Sequence, residues 1–278
     1  MRKINVKKIE DAIAKACEEA NYSLSPDVLT ALKRSIKMEK TSIGRDTLKA
    51  LIENAKIAKC ENIPICQDTG TAVIFISVGQ EVHLIGGDLN RAIQRGVRKG
   101  YRFLRKSLVR SPLTRENTKD NTPAIIHTEI VPGSKVHIIV SPKGAGSENQ
   151  SALKMFKPSD DIRIIKDFII GQVKKAGASA CPPMIIGVGI GGNFEEAPLL
   201  AKKALLRYTG TSNKNKKIAA LEKEILKEIN KTNIGPSGFG GKVTALAVNI
   251  ADFPCHIASL PVAVNIGCHA NRHKEIVI

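Results

Sequence analysis

The chain has 278 residues, 42% of them hydrophobic and 25% charged, enough to bury a sizeable core as one large domain or two lobes and too apolar to stay disordered. No apolar run approaches the roughly 18 residues that would cross a bilayer, and the N-terminus is an acid-containing amphipathic pattern, not a signal or transit peptide, so a cytoplasmic protein is expected. Lys and Arg number 43 against 26 acidic residues, a formal charge of +17. Nucleic-acid binding is one reading of that excess, but 4% aromatic residues and no Trp leave no stacking platform. A Lys-rich solvated surface is another, and steering of an anionic substrate or an acidic partner subunit is a third; the last two can both hold.

Along the chain, Ile9, Ala12, Ile13, Ala16 and Cys17 fall at helical spacing, which places Cys17 on a buried stripe as a core residue. Ser25-Pro26 reads as an N-cap and first-turn proline opening a second helix through Val28, Leu29, Leu32 and Ile36. A third runs from about Asp46 to Cys60. Then comes Ile63-Pro-Ile-Cys66-Gln67-Asp68-Thr69-Gly70-Thr71, which packs a thiol, an amide, a carboxylate and a hydroxyl into a loop at the entry to an apolar, β-branched strand over 72–78. A short strand over 81–85 and a basic helix from the Asp88 cap to about Ser107 follow. Residues 124–131 and 135–140, joined by Pro132-Gly133, predict a β-hairpin or paired strands, with His127 and His137 as sheet-face residues rather than ligands.

Pro142-Lys143-Gly144-Ala145-Gly146-Ser147-Glu148-Asn149 is a glycine-bearing loop whose backbone N–H groups suit a carboxylate or phosphate. After an amphipathic helix over 159–176 comes Cys181-Pro182-Pro183, then a run in which Gly187, Gly189 and Gly192 match the dinucleotide pattern. The pattern is rejected as a nucleotide site, because a charged helix over 213–231 stands where a parallel strand is needed. An anion at the N-terminus of a helix over 195–208 is kept. Gly235-Pro-Ser-Gly-Phe-Gly-Gly241 is a flexible loop before a strand over 243–250. Pro254-Cys255-His256 and Gly267-Cys268-His269 bracket the last strand, with Cys255 expected to be packed at the strand entry as a small hydrophobe.

Six cysteines without a secretory signal argue against a disulfide framework. Cys17 and Cys60 fit helices, whereas Cys66, Cys181 and Cys268 each sit in a loop bounded by Pro or Gly. Structural zinc would show local C-x-x-C pairs, which are absent. Three dispersed thiolates suit a [4Fe-4S] cluster with one open iron, and three core residues are the alternative.

The runs Cys66-Gln-Asp-Thr-Gly-Thr71, Lys143-Gly-Ala-Gly-Ser-Glu-Asn149, Cys181-Pro-Pro, Gly235-Pro-Ser-Gly-Phe-Gly-Gly241 and His256-Ile-Ala-Ser-Leu-Pro261 give the chain a resemblance to a known family. It resembles, over nearly its whole length, the N-terminal cluster-binding part of the iron-sulfur hydro-lyases comprising class I fumarate hydratase and L(+)-tartrate dehydratase. The resemblance implies Cys66, Cys181 and Cys268 as ligands of a [4Fe-4S] cluster and Gln67 and Asp68 as substrate contacts. Arg105, with Lys106 as the alternative, would hold a carboxylate, Gly144 and Gly146 would offer backbone donors, and His256, paired with Asp68, would position protons. It further implies a beta subunit carrying the missing C-terminal domain, and a dimer of alpha-beta pairs.

The expected protein is therefore α+β: N-terminal helices, then mixed sheets with helices, its loops converging on a cluster cleft within residues 1–278. Its expected activity is the hydration of fumarate to malate. L(+)-tartrate dehydration is the nearest alternative, and a basic nucleic-acid-binding or scaffold protein is the alternative of a different class.

Overall fold

The computed structural model describes all 278 residues. In chain order the elements are β1 (Arg2–Asn5), α1 (Val6–Tyr22), α2 (Pro26–Met38), α3 (Ser42–Glu61), β2 (Thr71–Gly79), β3 (Val82–Ile85), α4 (Leu89–Gly100), β4 (Ile125–Val131), β5 (Val136–Lys143) and α5 (Ala145–Glu148). They continue with β6 (Ala152–Phe156), α6 (Ile162–Ala176), β7 (Met184–Gly191), α7 (Glu196–Ala204), α8 (Lys216–Ile229), β8 (Ala245–Phe253), β9 (Leu260–Gly267) and β10 (Lys274–Val277). The architecture is α+β. The chain divides into two compact units, the first made of residues 1–24, 55–145 and 272–278, the second of 25–54 and 146–271. No helix is long and apolar enough to cross a membrane.

In the first unit a four-stranded sheet has the order β10-β5-β2-β4. Five consecutive residues of β2, 72–76, are buried, so both faces and both edges of the strand must be covered. This is why residues 124–131 and 135–140 do not form the expected hairpin: β4 runs parallel to β2 on one side and β5 antiparallel on the other. His127 stacks on its register partner Phe75 with ring centroids 5.0 Å apart, as a sheet-face residue should. Ile9, Ile13 and Cys17 of α1 meet Ile93 and Val97 of α4 over Ile74 and Ile76. The two helices approach closely because α4 offers Gly96 and Gly100, where a Cβ would stand 2.6 Å from Glu10 O and 2.5 Å from Ala14 O. The helix ends there, not near Ser107, because Tyr101 turns inward and is fully buried. Burial holds the Cys17 thiol far above its ordinary pKa, so it behaves as a hydrophobe.

In the second unit the sheet order is β6-β9-β7-β8. Along β7 the period of two separates two faces: Met184, Ile186 and Val188 pack with Ile165, Ile169 and Val173 of α6 and Ile225 and Ile229 of α8, while Gly187 and Gly189 face α7. A Cβ at either glycine would lie 2.0 Å from a carbonyl of α7, Ala201 O and Ala197 O respectively. The dinucleotide-like pattern is thus a helix-packing pattern. The expected absence of a parallel partner is corrected, since β8 runs parallel to β7, but α7 fills the space over these glycines. The anion site expected at the start of α7 is also corrected. Asn193 Oδ1 already accepts from the backbone N–H of Glu195 and Glu196 (3.2 and 2.8 Å), and those two carboxylates would repel an anion. Helix α6 starts at Ile162, three residues later than expected, because Asp161 supplies the cap.

Candidate active site

The first unit holds the Cys66 loop. Pro64 keeps Ile63 out of the helical region, and the chain then dips inward at Ile65, which is buried and donates its N–H to Asn21 O at 2.9 Å. Cys66 is half-buried, and its Sγ accepts the Asp68 N–H at 3.4 Å. The Asp68 carboxylate is oriented by two backbone donors, Gly70 N–H to Oδ1 (3.0 Å) and Ala145 N–H to Oδ2 (2.7 Å). Gly144 makes the second contact possible, because a Cβ there would stand 3.0 Å from Oδ2. Within the segment 142–149, β5 runs through Lys143, residues 145–148 form one helical turn, and Ala145 N–H serves Asp68. Gln67 lies exposed beside it.

Beneath the loop lie Arg272 and Tyr101, which the sequence reading did not single out. Arg272 is buried and its Nη2 donates to Asp68 O at 2.5 Å, while its Nε is buried without a partner. The Tyr101 hydroxyl, its pKa pushed up by burial, donates to Thr69 O at 2.8 Å. The Thr69 hydroxyl donates to Arg105 O at 2.6 Å. The side chains of Arg105 and Lys106 then part company: Lys106 Nζ turns back to donate to Arg102 O at 2.6 Å, whereas the Arg105 side chain stands exposed.

In the second unit three loops meet. Cys181 closes the 3-10 turn Gly177–Ala180 in a left-handed conformation, φ 51°, and its carbonyl accepts from both His269 N–H (3.2 Å) and His269 Nδ1 (3.0 Å). A carbonyl can only accept, so the neutral His269 ring carries its proton on Nδ1. The next carbonyl, Pro182 O, accepts from Ser237 N–H at 2.9 Å. The loop over 235–241 is accordingly a tied structure rather than a flexible one. It is closed further by Asn233 Oδ1, which accepts from Gly241 N–H at 3.1 Å.

His256 is exposed, and its Nδ1 accepts the Ala258 N–H at 3.1 Å, so the neutral ring presents Nε2–H to solvent. Cys255 is exposed, with its thiol on Ser259 O at 3.3 Å. The expected packing of Cys255 at a strand entry is corrected, because β9 begins only at Leu260 and leaves Cys255 outside the sheet.

None of the six cysteines is in a disulfide, and neither unit by itself gathers three His, Cys, Asp or Glu side chains into a ready-made cage. Cys66 and Cys268 are half-buried and Cys181 is exposed. Thiols on short Gly- or Pro-bounded loops, within reach of solvent and lacking disulfide partners, are of the chemical type that iron-sulfur clusters take as ligands.

Residues 10–277 match the family described as fumarate hydratase (Fumerase), and the chain belongs to that family. Among its relatives, a Methanocaldococcus jannaschii protein with the provisional name L(+)-tartrate dehydratase subunit alpha is 45% identical, covering 95% of both chains. L(+)-tartrate dehydratase subunit alpha from Escherichia coli O157:H7 is 28% identical over 98% of this chain and 91% of its own. The subunit of the same name from Shigella sonnei is likewise 28% identical, over the same shares.

Proposed function

We propose that the chain is the alpha subunit of a hydro-lyase acting on a 2-hydroxy dicarboxylate, with Cys66, Cys181 and Cys268 as ligands of a [4Fe-4S] cluster. The observation that carries the reading is the double hydrogen bond from His269 to Cys181 O, which fixes two of the three candidate thiol loops against each other. When bound, such a cluster supplies a Lewis acid for the leaving hydroxyl.

The chain's own residues are assigned as follows. The Asp68 carboxylate, held by two N–H groups, is a fixed acceptor for a substrate hydroxyl or a proton. His256, held by Ala258, offers Nε2–H as a donor. Gln67 is a substrate contact. Arg105, rather than the internally bonded Lys106, holds a substrate carboxylate with the bidentate geometry that suits it. Gly144 and Gly146 are assigned to the carboxylate-facing backbone, Gly144 also making room for Asp68.

Fumarate and malate are the first substrate pair, favoured by the family description over residues 10–277. L(+)-tartrate is the second reading, favoured by the names of the relatives. Those names also say alpha, which supports a separate beta subunit and an assembly of alpha-beta pairs. Six cysteines free of disulfides accord with a reducing cytoplasm. The test is to co-purify the chain with its beta subunit under anaerobic conditions and assay both acids. Hydration of fumarate, with tartrate slower by about tenfold or more in kcat/KM, supports the first reading, and the reverse ratio supports the second. Turnover of neither acid contradicts the proposal.

A further inference from the structure

Asn121 is completely buried and sits at φ 59°, a left-handed conformation that costs a non-glycine residue energy unless its surroundings hold it there. What holds it is its own side chain. Asn121 Oδ1 accepts the backbone N–H groups of Ser107 (2.7 Å) and Leu108 (3.1 Å), and Nδ2 donates to Gly70 O (3.0 Å). One amide thus joins the Asp68 loop to the Arg105 segment. A second bond runs beside it from the Thr69 hydroxyl to Arg105 O at 2.6 Å, with Ser107 Oγ 3.2 Å from the same hydroxyl.

We propose that Asn121 and Thr69 are positioning residues that fix the Arg105 segment against the Asp68 loop. Resting on the function proposed above, they set the span over which a four-carbon dicarboxylate is held. Both ends of the amide are in use, so no other residue reproduces it: Asp lacks the donor, Ser the reach, and Gln is a methylene too long. The segment from Arg102 to Lys119 has no helix or strand of its own and is largely exposed. Leu104 is buried in the core and Asn117 Nδ2 donates to Lys106 O at 2.8 Å, but the brace is what ties this segment to the Asp68 loop, and displacement of about 1 Å at a positioning group costs on the order of a hundredfold in turnover of substrate at low concentration.

The test compares Thr69→Val, isosteric without the hydroxyl, with Thr69→Ser, which keeps it, and adds Asn121→Asp. In the alpha-beta enzyme, Thr69→Val and Asn121→Asp should raise KM for the acid turned over by about tenfold or more, with kcat within about threefold, unchanged iron content, and Thr69→Ser close to wild type. A lowered melting temperature with unchanged KM would mean that the brace serves stability alone and would overturn the proposal. So would a fall in kcat with iron loss. Amide hydrogen exchange on the full chain gives a reading independent of activity: residues 66–71 and 105–108 should quicken together by about tenfold or more in Thr69→Val and Asn121→Asp. Quickening of one segment alone overturns the coupling even if the enzyme acts on neither acid.

Discussion

His269 places two donors, its backbone N–H at 3.2 Å and its ring Nδ1 at 3.0 Å, on the one carbonyl oxygen of Cys181. The residue next to Cys268 therefore fixes the backbone of Cys181, although 87 residues separate the two cysteines in sequence. Cys255 has no such tie to the Cys181 loop. Its thiol bonds to Ser259 O, inside its own loop. We expect Cys255→Ser to keep the iron and the broad visible absorption of anaerobically reconstituted protein, and Cys268→Ser to lose them. Retention in Cys268→Ser with loss in Cys255→Ser would move the ligand.

If Arg105 holds the substrate carboxylate as proposed, Arg105→Ala should remove a charge-assisted contact of about 1.5–3 kcal/mol, roughly a tenfold to hundredfold loss in kcat/KM. Lys106→Ala should stay within about threefold of wild type, because Lys106 Nζ is occupied by Arg102 O. Steady-state kinetics of the alpha-beta enzyme with either acid decides it, and equal losses in the two variants would remove Arg105 from its assigned role.

Glu39 is buried yet collects the backbone N–H groups of Lys40 (2.7 Å), Thr41 (3.1 Å), Lys242 (3.1 Å) and Val243 (2.8 Å). Burial alone would raise its pKa, but these donors outweigh it and hold the carboxyl below the usual glutamate range. With the folded value below the unfolded one, the stabilisation is complete above the ordinary carboxylate range and is lost as pH falls through the depressed folded value. Glu39→Gln should cost the second unit about 1.5–3 kcal/mol at neutral pH and flatten its acid limb. Denaturant titrations of both proteins at neutral and acidic pH measure this, and parallel acid limbs would contradict it.

Two glycine-to-alanine changes should move stability in opposite directions. Gly189→Ala drives a methyl to 2.0 Å from Ala197 O and should cost about 3 kcal/mol or more. Gly171, exposed within α6 with nothing within 4 Å of a built Cβ, should gain about 0.5–1 kcal/mol as Ala. Thermal melts of the two variants against wild type read both signs directly.

Helices were legible where one face had to be apolar: α1, α2 and α6 carry periodic stripes, and Asp88 marked the start of α4. Its end was not, because Gly100 reads as a breaker or a packing residue equally well, and only the nearness of α1 shows which. The hairpin expected at Pro132-Gly133 was a reasonable local reading, but β2 needed a neighbour on each edge and so stands between β4 and β5. In the candidate site, Cys66, Asp68, Cys181, His256 and Cys268 announce themselves by residue type in Gly- or Pro-bounded loops. Asn121 and Arg272 do not. In sequence both look like solvated turn residues, and their part in holding the Asp68 loop comes from burial, which long-range packing decides.

On the proposed function, Cys66 belongs to the same ligand set as Cys181 and Cys268. The most direct measurement of this is iron and sulfide content with the visible spectrum after anaerobic reconstitution of wild type and of Cys66→Ser, Cys181→Ser and Cys268→Ser. About four iron and four sulfide per wild-type chain are expected, with the absorption lost in each of the three variants. A full complement retained in Cys66→Ser, or no iron taken up by the wild type, would contradict it.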